Sequence, residues 1–237
     1  MRCELLELEG SFNARDVGGY PAGGGKMTKY RRFIRTGSLF KLTEQGKSAL
    51  LNMRVRCVVD LRSHFEVNEK PDAVMNDPRF FWRHLPMLDY IYAEIADEQY
   101  VSFPPSLEKM YINLLNEDKN SFRSLFQLFA SPEHESYLFH CTMGKDRTGM
   151  TAALLLSLAG VDEETIVEDY SHSAKLTKHL IEGLTEDIPA YLFASPAETM
   201  QKVLGYIRSK YGGGQGYLNH IGITPEQCRA IITKLLD

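Results

Sequence analysis

Apolar positions along this 237-residue chain fall into short runs of two kinds, whose spacing predicts strands alternating with helices. The run "VRCVVDL" (55–61) is β-branched and of strand length, which predicts a central strand. "FFWRHLPML" (80–88) reads as a further strand ending at Pro86, and "SYLFH" (136–140) as a short third one. Helical spacing appears in "LTEQGKSALLNM" (42–53), with Thr43 as N-cap and Leu50 and Leu51 on its apolar side. It recurs at 105–117 through Leu107, Met110, Tyr111 and Leu114, and at 121–131 through Phe122, Leu125, Phe126 and Phe129.

The later third is mostly helical. "MTAALLLSLAG" stops at Gly160, a suitable residue just past a helix end, and Asp162 can cap the next helix. Met200, Val203, Leu204, Ile207 and Tyr211 form one stripe that ends in glycines. "TPEQ" (224–227) is a capping box with Pro225 at the first helical position, so 225–236 closes the chain as a helix. Near the start, turn chemistry from Gly18 to Gly25 is flanked by segments able to form a hairpin. The pattern predicts an α/β fold with a mainly parallel central sheet flanked by helices. With no repeat, low-complexity tract or Pro/Ser linker, the expectation is one domain over 1–237.

Composition narrows the partners. Hydrophobic content of 43% and charged content of 24% are those of a globular chain. A net charge of −4 argues against nucleic acid as a partner. No apolar run approaches the ~18 residues of a membrane span. "MRCELLELEG" mixes acids with leucines and is no secretory signal, so the expected location is cytoplasmic. The four cysteines (Cys3, Cys57, Cys141, Cys228) are widely spaced, with neither a C-x-x-C pair nor a zinc pattern. They read as free thiols, and no metal-ligand cluster or cofactor motif is visible.

The chemistry concentrates in "HCTMGKDRTGM" (140–150), which joins the third strand to a helix. A glycine-containing loop before a helix N-terminus binds anions through inward N–H groups and the helix dipole. The same surroundings favour a thiolate over a thiol. Cys141 opens the loop as a nucleophile and Arg147 closes it with a planar fork that suits two phosphate oxygens. Thr142, Met143, Gly144, Lys145 and Asp146 supply the intervening amides. Gly144 allows tight curvature and Gly149 close approach of the helix. Thr148 is placed to hydrogen-bond the cysteine sulfur, and His140 to tune its thiolate. Those roles fit attack on a phosphate monoester, a phosphocysteine intermediate and its hydrolysis, with no metal required.

The stretch His140–Gly149 resembles the HC-x5-R-[ST] loop of cysteine-dependent tyrosine and dual-specificity phosphatases. "GKDRTG" is similar to that of the atypical bacterial branch, as are "FNARDVGGY" (12–20), 35–66 and "YGGGQGYLNHIGIT" (211–224). The resemblance leaves out roughly 89–120 and the segment 183–197, and the latter is read as a lid or insertion. It implies the fold of that superfamily, hydrolysis of phosphotyrosine, with phosphoserine/threonine or phosphoinositides as further substrates, and a phosphate or sulfate ion held by the loop.

The general acid is the open position. The aspartate that follows Trp-Pro in many members is missing, because Trp82 is followed by Arg83. The branch places its acid in the loop or at the end of the "DLR" strand, which makes Asp146 the first candidate, Asp60 the second and Asp89 a distant third. Asp146 as a mere partner for Lys145, and Asp60 as a strand-end cap or an orienter of Arg147, are the plain alternatives. Lys145 with Arg62 predicts a wider anion pocket, suited to an inositol headgroup. "NARDVGGY" reads as a structural clasp in which Arg15 pairs with Asp16. Two other functions fit the same cysteine: a phospho-recognition module without turnover, and a thiol redox or sulfur-transfer protein. The latter would want a resolving thiol close by.

Overall fold

The computed structural model describes residues 4–88, 104–181 and 189–237. Five strands make one sheet: β1 (Arg15–Asp16), β2 (Phe33–Thr36), β3 (Cys57–Asp60), β4 (Phe81–His84) and β5 (Tyr137–His140). Their order across the sheet is β1-β2-β5-β3-β4. Only β1 runs antiparallel, with Arg15 opposite Arg35, which makes the expected hairpin. β5 lies between β2 and β3, so Thr36 and Asp60 both pair with His140, the residue before the nucleophile.

Successive strand residues point to opposite faces, and two apolar layers follow from that alternation. Phe33, Cys57, Val59, Tyr137 and Phe139 belong to the larger cluster, while Ile34, Val58 and Leu138 belong to the smaller. The larger layer is covered by α3 (Leu107–Glu117), α4 (Lys119–Ala130), α5 (Arg147–Leu158), α6 (Glu163–Ile181), α7 (Ala197–Tyr211), α8 (Gly214–His220) and α9 (Pro225–Leu235). The smaller is covered by α1 (Glu44–Asn52) and the 73–80 turn. β5 and β3 are buried along their whole length, whereas β4 at the edge alternates exposed and half-buried residues. The α/β architecture with a mainly parallel sheet is the one the apolar pattern predicts.

The caps explain where helices begin. Thr43 accepts from Gly46 N at the start of α1, and Thr224 with Gln227 closes a capping box on α9. Asp162 accepts from Thr165 N at 2.8 Å to start α6. Gly160 just past α5 and Gly212 past α7 take φ of 75° and 78°, the left-handed stop that glycine adopts at least cost. Two helices escape the apolar pattern. α8 begins among glycines, and α2 (His64–Glu69) is only 6 residues long. Asp89, and residues 183–188 of the expected lid, lie outside the described residues; Ala190–Phe193 form a single 3-10 turn.

Candidate active site

Cys141 follows β5 directly and is 1% exposed at the mouth of the loop that feeds α5. The loop's carbonyls are tied outward. Thr142 O accepts from Ser38 N at 3.0 Å, and Met143 O and Gly144 O accept from Asn13 Nδ2 at 2.9 and 3.0 Å. Arg35 Nη2 adds a second donor to Gly144 O at 2.9 Å. Turning three consecutive carbonyls away leaves the loop's amides facing the other side. Among the described residues, no backbone N–H from Thr142 to Asp146 donates to a protein group. A row of N–H groups without protein acceptors beside a helix N-terminus is a nest for an anion.

Gly144 takes φ +65°, and a Cβ there would stand 2.4 Å from Thr36 O. Only glycine lets the loop lie on the end of β2. A Cβ on Gly149 would meet Tyr170 at 3.3 Å, so α5 and α6 approach closely at that point.

The stretch 12–20 is a clasp, with partners other than those the sequence suggests. Arg15 pairs with Asp169 of α6, not with Asp16: Nε meets Oδ1 at 2.8 Å, and Arg35 Nη1 meets Oδ2 at 2.5 Å. Arg15 Nη1 also donates to Asn13 Oδ1 at 2.6 Å, orienting the amide that holds the loop. Burial alone would raise the Asp169 carboxyl, but Arg15 and Arg35 hold it well below the usual carboxylate range. Asp16 instead accepts from the backbone N–H groups of Gly18 and Arg31, at 2.8 and 2.7 Å. Desolvation raises it to about 6 despite those bonds. Sequence adjacency suggested the wrong ion pair because neighbouring strand residues point to opposite faces.

Arg147 is held by a residue that sequence reasoning passed over. Its Nη1 and Nη2 donate to Glu66 Oε2 and Oε1 at 2.6 and 2.9 Å. Glu66 is in turn fixed by a capping box, accepting from Ser63 N at 2.8 Å, and it accepts from the Thr142 hydroxyl. Burial works against this carboxylate, yet the Arg147 charge and these bonds bring it to about 2. "SHFE" at 63–66 carries the S-x-x-E signature and was the available signal.

Asp146 precedes α5, and its Oδ1 accepts from Tyr111 OH at 2.5 Å and meets Lys145 Nζ at 2.8 Å. Tyr111 also hydrogen-bonds Tyr170 OH at 2.8 Å, so a buried tyrosine pair from α3 and α6 stands behind this carboxylate. Asp146 remains 19% exposed, whereas Asp60 is sealed. Both Asp60 oxygens contact Arg62 Nε, and Oδ2 meets Nη2 at 2.7 Å. Asp60 therefore orients Arg62 rather than Arg147. Arg62 also reaches Asp72 Oδ1 at 2.8 Å, and Asp72 Oδ2 meets His140 Nε2 at 2.8 Å. Although burial opposes it, the Asp72 and Asp60 carboxylates raise His140 to about 9, so a cation sits directly before Cys141.

The wider anion pocket expected of Lys145 and Arg62 does not form. Lys145 is fully buried and donates to Ala194 O at 2.8 Å, and Arg62 is spent on the acids behind the loop. Thr148 Oγ1 is buried and makes no hydrogen bond among the described residues, the cysteine sulfur included. Asp60, Asp72 and His140 are close enough to hold a cation, but the Arg62 guanidinium already occupies that role. Among the described residues no helix is long and apolar enough to cross a membrane.

The described thiols Cys57, Cys141 and Cys228 are free and buried. Cys57 pairs with Tyr137, four residues before Cys141 along the same ladder, or ~13 Å at strand spacing. Burial pushes its thiol up to about 12. It is no resolving partner for a redox cycle.

The chain is similar to known proteins along most of its length. The sequence profile of the tyrosine phosphatase family matches residues 6–237. A tyrosine-protein phosphatase of Nostoc commune is 33% identical over 86% of this chain and 74% of its own. The triple specificity protein phosphatase PtpB of Mycobacterium tuberculosis is 26% identical over 93% of this chain and 95% of its own. The crystal structure of P. aeruginosa TpbA aligns at 16% identity and a TM-score of 0.39, over 83% of this chain and 89% of that one. With the profile spanning nearly the whole sequence, the chain belongs to the tyrosine phosphatase family.

Proposed function

We propose that the chain hydrolyses phosphotyrosine in protein substrates, with Cys141 as nucleophile, Arg147 as phosphate clamp and Asp146 as general acid. The observation that carries this reading is the row of loop amides between Cys141 and Arg147, unpaired among the described residues, with the carbonyls tied back by Asn13, Arg35 and Ser38. An oxyanion nest of fixed N–H groups needs no reorganisation as charge develops on the phosphoryl oxygens. Thiolate attack on phosphorus forms the S–P bond and breaks the bond to the leaving oxygen, which takes a proton from Asp146. Water then attacks the phosphocysteine, giving its proton to Asp146 and releasing phosphate and the thiolate.

Asp146 is favoured over Asp60 because it is partly open, while Asp60 is enclosed by Arg62. Phosphotyrosine is favoured over a phosphoinositide headgroup because Lys145 and Arg62 are buried and engaged elsewhere. The relatives' names, tyrosine-protein phosphatase and triple specificity protein phosphatase, support the same substrate class.

The deciding experiment is a turnover panel of phosphotyrosine and phosphoserine peptides and phosphoinositides, run with and without EDTA and for Cys141→Ser. Phosphotyrosine turnover indifferent to EDTA and abolished in Cys141→Ser is expected, with inorganic phosphate a competitive inhibitor. Turnover surviving Cys141→Ser, or lost with EDTA, would overturn the mechanism. Asp146→Asn should slow phenyl phosphate far more than p-nitrophenyl phosphate, whose leaving group needs no proton. Equal losses would remove Asp146 from the acid role.

A further inference from the structure

One cavity reaches the phosphate loop at Thr142. It has a volume of about 470 Å³, within the range of small-ligand pockets, and its inner wall is Thr142 and Glu66. Its apolar wall is made by Phe12, Phe40, Phe65 and Leu180. Phe40 and Phe65 are 41% and 42% exposed, in a molecule that buries most of its large apolar side chains. Lys41 and Lys70 are also exposed and line the cavity.

We propose that this cavity is a specificity subsite that receives an apolar side chain flanking the phosphotyrosine of a protein substrate, a proposal that rests on the phosphotyrosine reading above. Three observations favour that occupant. First, the cavity borders the chemistry at Thr142 and Glu66. Thr142 follows the nucleophile directly and Glu66 holds the clamp, so the occupant belongs to the molecule whose phosphate the loop binds. Neighbouring residues of an extended peptide are only ~3.8 Å apart at Cα, which keeps a flanking side chain within reach.

Second, the lining selects against a polar headgroup. Hydroxyls or phosphates placed against three phenylalanine rings lose water without regaining hydrogen bonds. Arg62, which also lines the cavity, already spends its guanidinium on Asp60, Asp72 and the Lys70 carbonyl, and Lys41 and Lys70 are exposed to solvent. Third, the apolar surface is concave, which suits a single side chain better than a flat bilayer. The net charge of −4 also disfavours an acidic lipid surface.

The test uses the full chain and matched phosphotyrosine peptides that carry leucine or serine at each position within two residues of the phosphotyrosine. Leucine at one position is expected to raise kcat/KM about 10-fold, the worth of one partly buried apolar side chain. Phe40→Ala and Phe65→Ala should each shrink that preference, the pair should abolish it, and Phe65→Leu should keep most of it. Thermal melts of each variant separate loss of fold from loss of selectivity. Equal rates for leucine and serine peptides, or a preference that survives the double variant, would overturn the subsite while leaving the phosphotyrosine reading intact. No hydrolysis of any phosphotyrosine peptide, with an aryl phosphate still turned over, would remove that reading and the subsite together. Unchanged peptide selectivity with lost binding to phosphatidylserine vesicles would assign the two rings to a membrane surface instead.

Discussion

Glu66 and Arg147 meet through both pairs of polar atoms, at 2.6 and 2.9 Å, so the phosphate clamp is itself clamped. A guanidinium held this way is presented in one orientation, which removes the entropy of placing it when substrate arrives. Glu66→Gln keeps the shape and removes the charge. Two charge-assisted hydrogen bonds weaken, and kcat/KM for an aryl phosphate should fall roughly 10- to 100-fold. A rise in kcat/KM would instead make Glu66 a competitor of the phosphate for Arg147.

The arrangement shows what the sequence made legible and what it did not. Strands, most helices and their caps follow from local patterns, because Thr43, Asp162 and Thr224 act within three residues of themselves. The phosphate loop is equally local, since Cys141 and Arg147 bracket one turn of chain. Glu66 was legible only as a capping residue, because its meeting with Arg147 spans 81 positions. The Arg15–Asp169 pair spans 154 positions, and adjacency pointed to Asp16 instead. Lys145 and Arg62 looked like free cations because burial and packing leave no trace in a single motif.

Asn13 is the smallest group on which the nest depends. Its amide holds two loop carbonyls at 2.9 and 3.0 Å, and Arg15 fixes the amide's own orientation. Asn13→Ala should release those carbonyls and lower kcat, with a loss of roughly 1–3 kcal/mol in stability from unsatisfied buried groups. Asn13→Asp tests orientation separately, because a carboxylate cannot donate to the carbonyls. Activity measured beside urea unfolding would show the effect, and unchanged kcat in both variants would free the loop from this clasp.

His140 should make stability depend on pH. Its folded value of about 9 lies above the ordinary 6.5, so protonation favours the folded state. The contribution is fully present below pH 6.5 and is lost as pH rises through 9. Urea unfolding at pH 6 and pH 9.5 should therefore differ, by an amount on the order of 1–3 kcal/mol from this residue. Asp72→Asn removes the main charge that raises His140 and should flatten the slope, whatever it does to the absolute level. A slope that persists in Asp72→Asn would shift the pH dependence to another group.

Tyr111 sets the surroundings of the proposed acid. Its hydroxyl donates to Asp146 Oδ1 at 2.5 Å and is braced by Tyr170 OH at 2.8 Å. Burial and the Asp146 charge push the Tyr111 phenol well above its ordinary value, so it remains a donor throughout the working range. Tyr111→Phe removes one hydroxyl from a fully buried ring and leaves the rest of the α3–α6 contact in place. Asp146 should then lose the bond that fixes its Oδ1, and kcat for phenyl phosphate should fall roughly 3- to 10-fold, the worth of one hydrogen bond. Leaving-group dependence should persist, because the acid itself is intact. Tyr170→Phe, which touches only the brace, should lower kcat by less. An unchanged kcat for phenyl phosphate in Tyr111→Phe would reduce Tyr111 to packing and detach the tyrosine pair from the acid's chemistry.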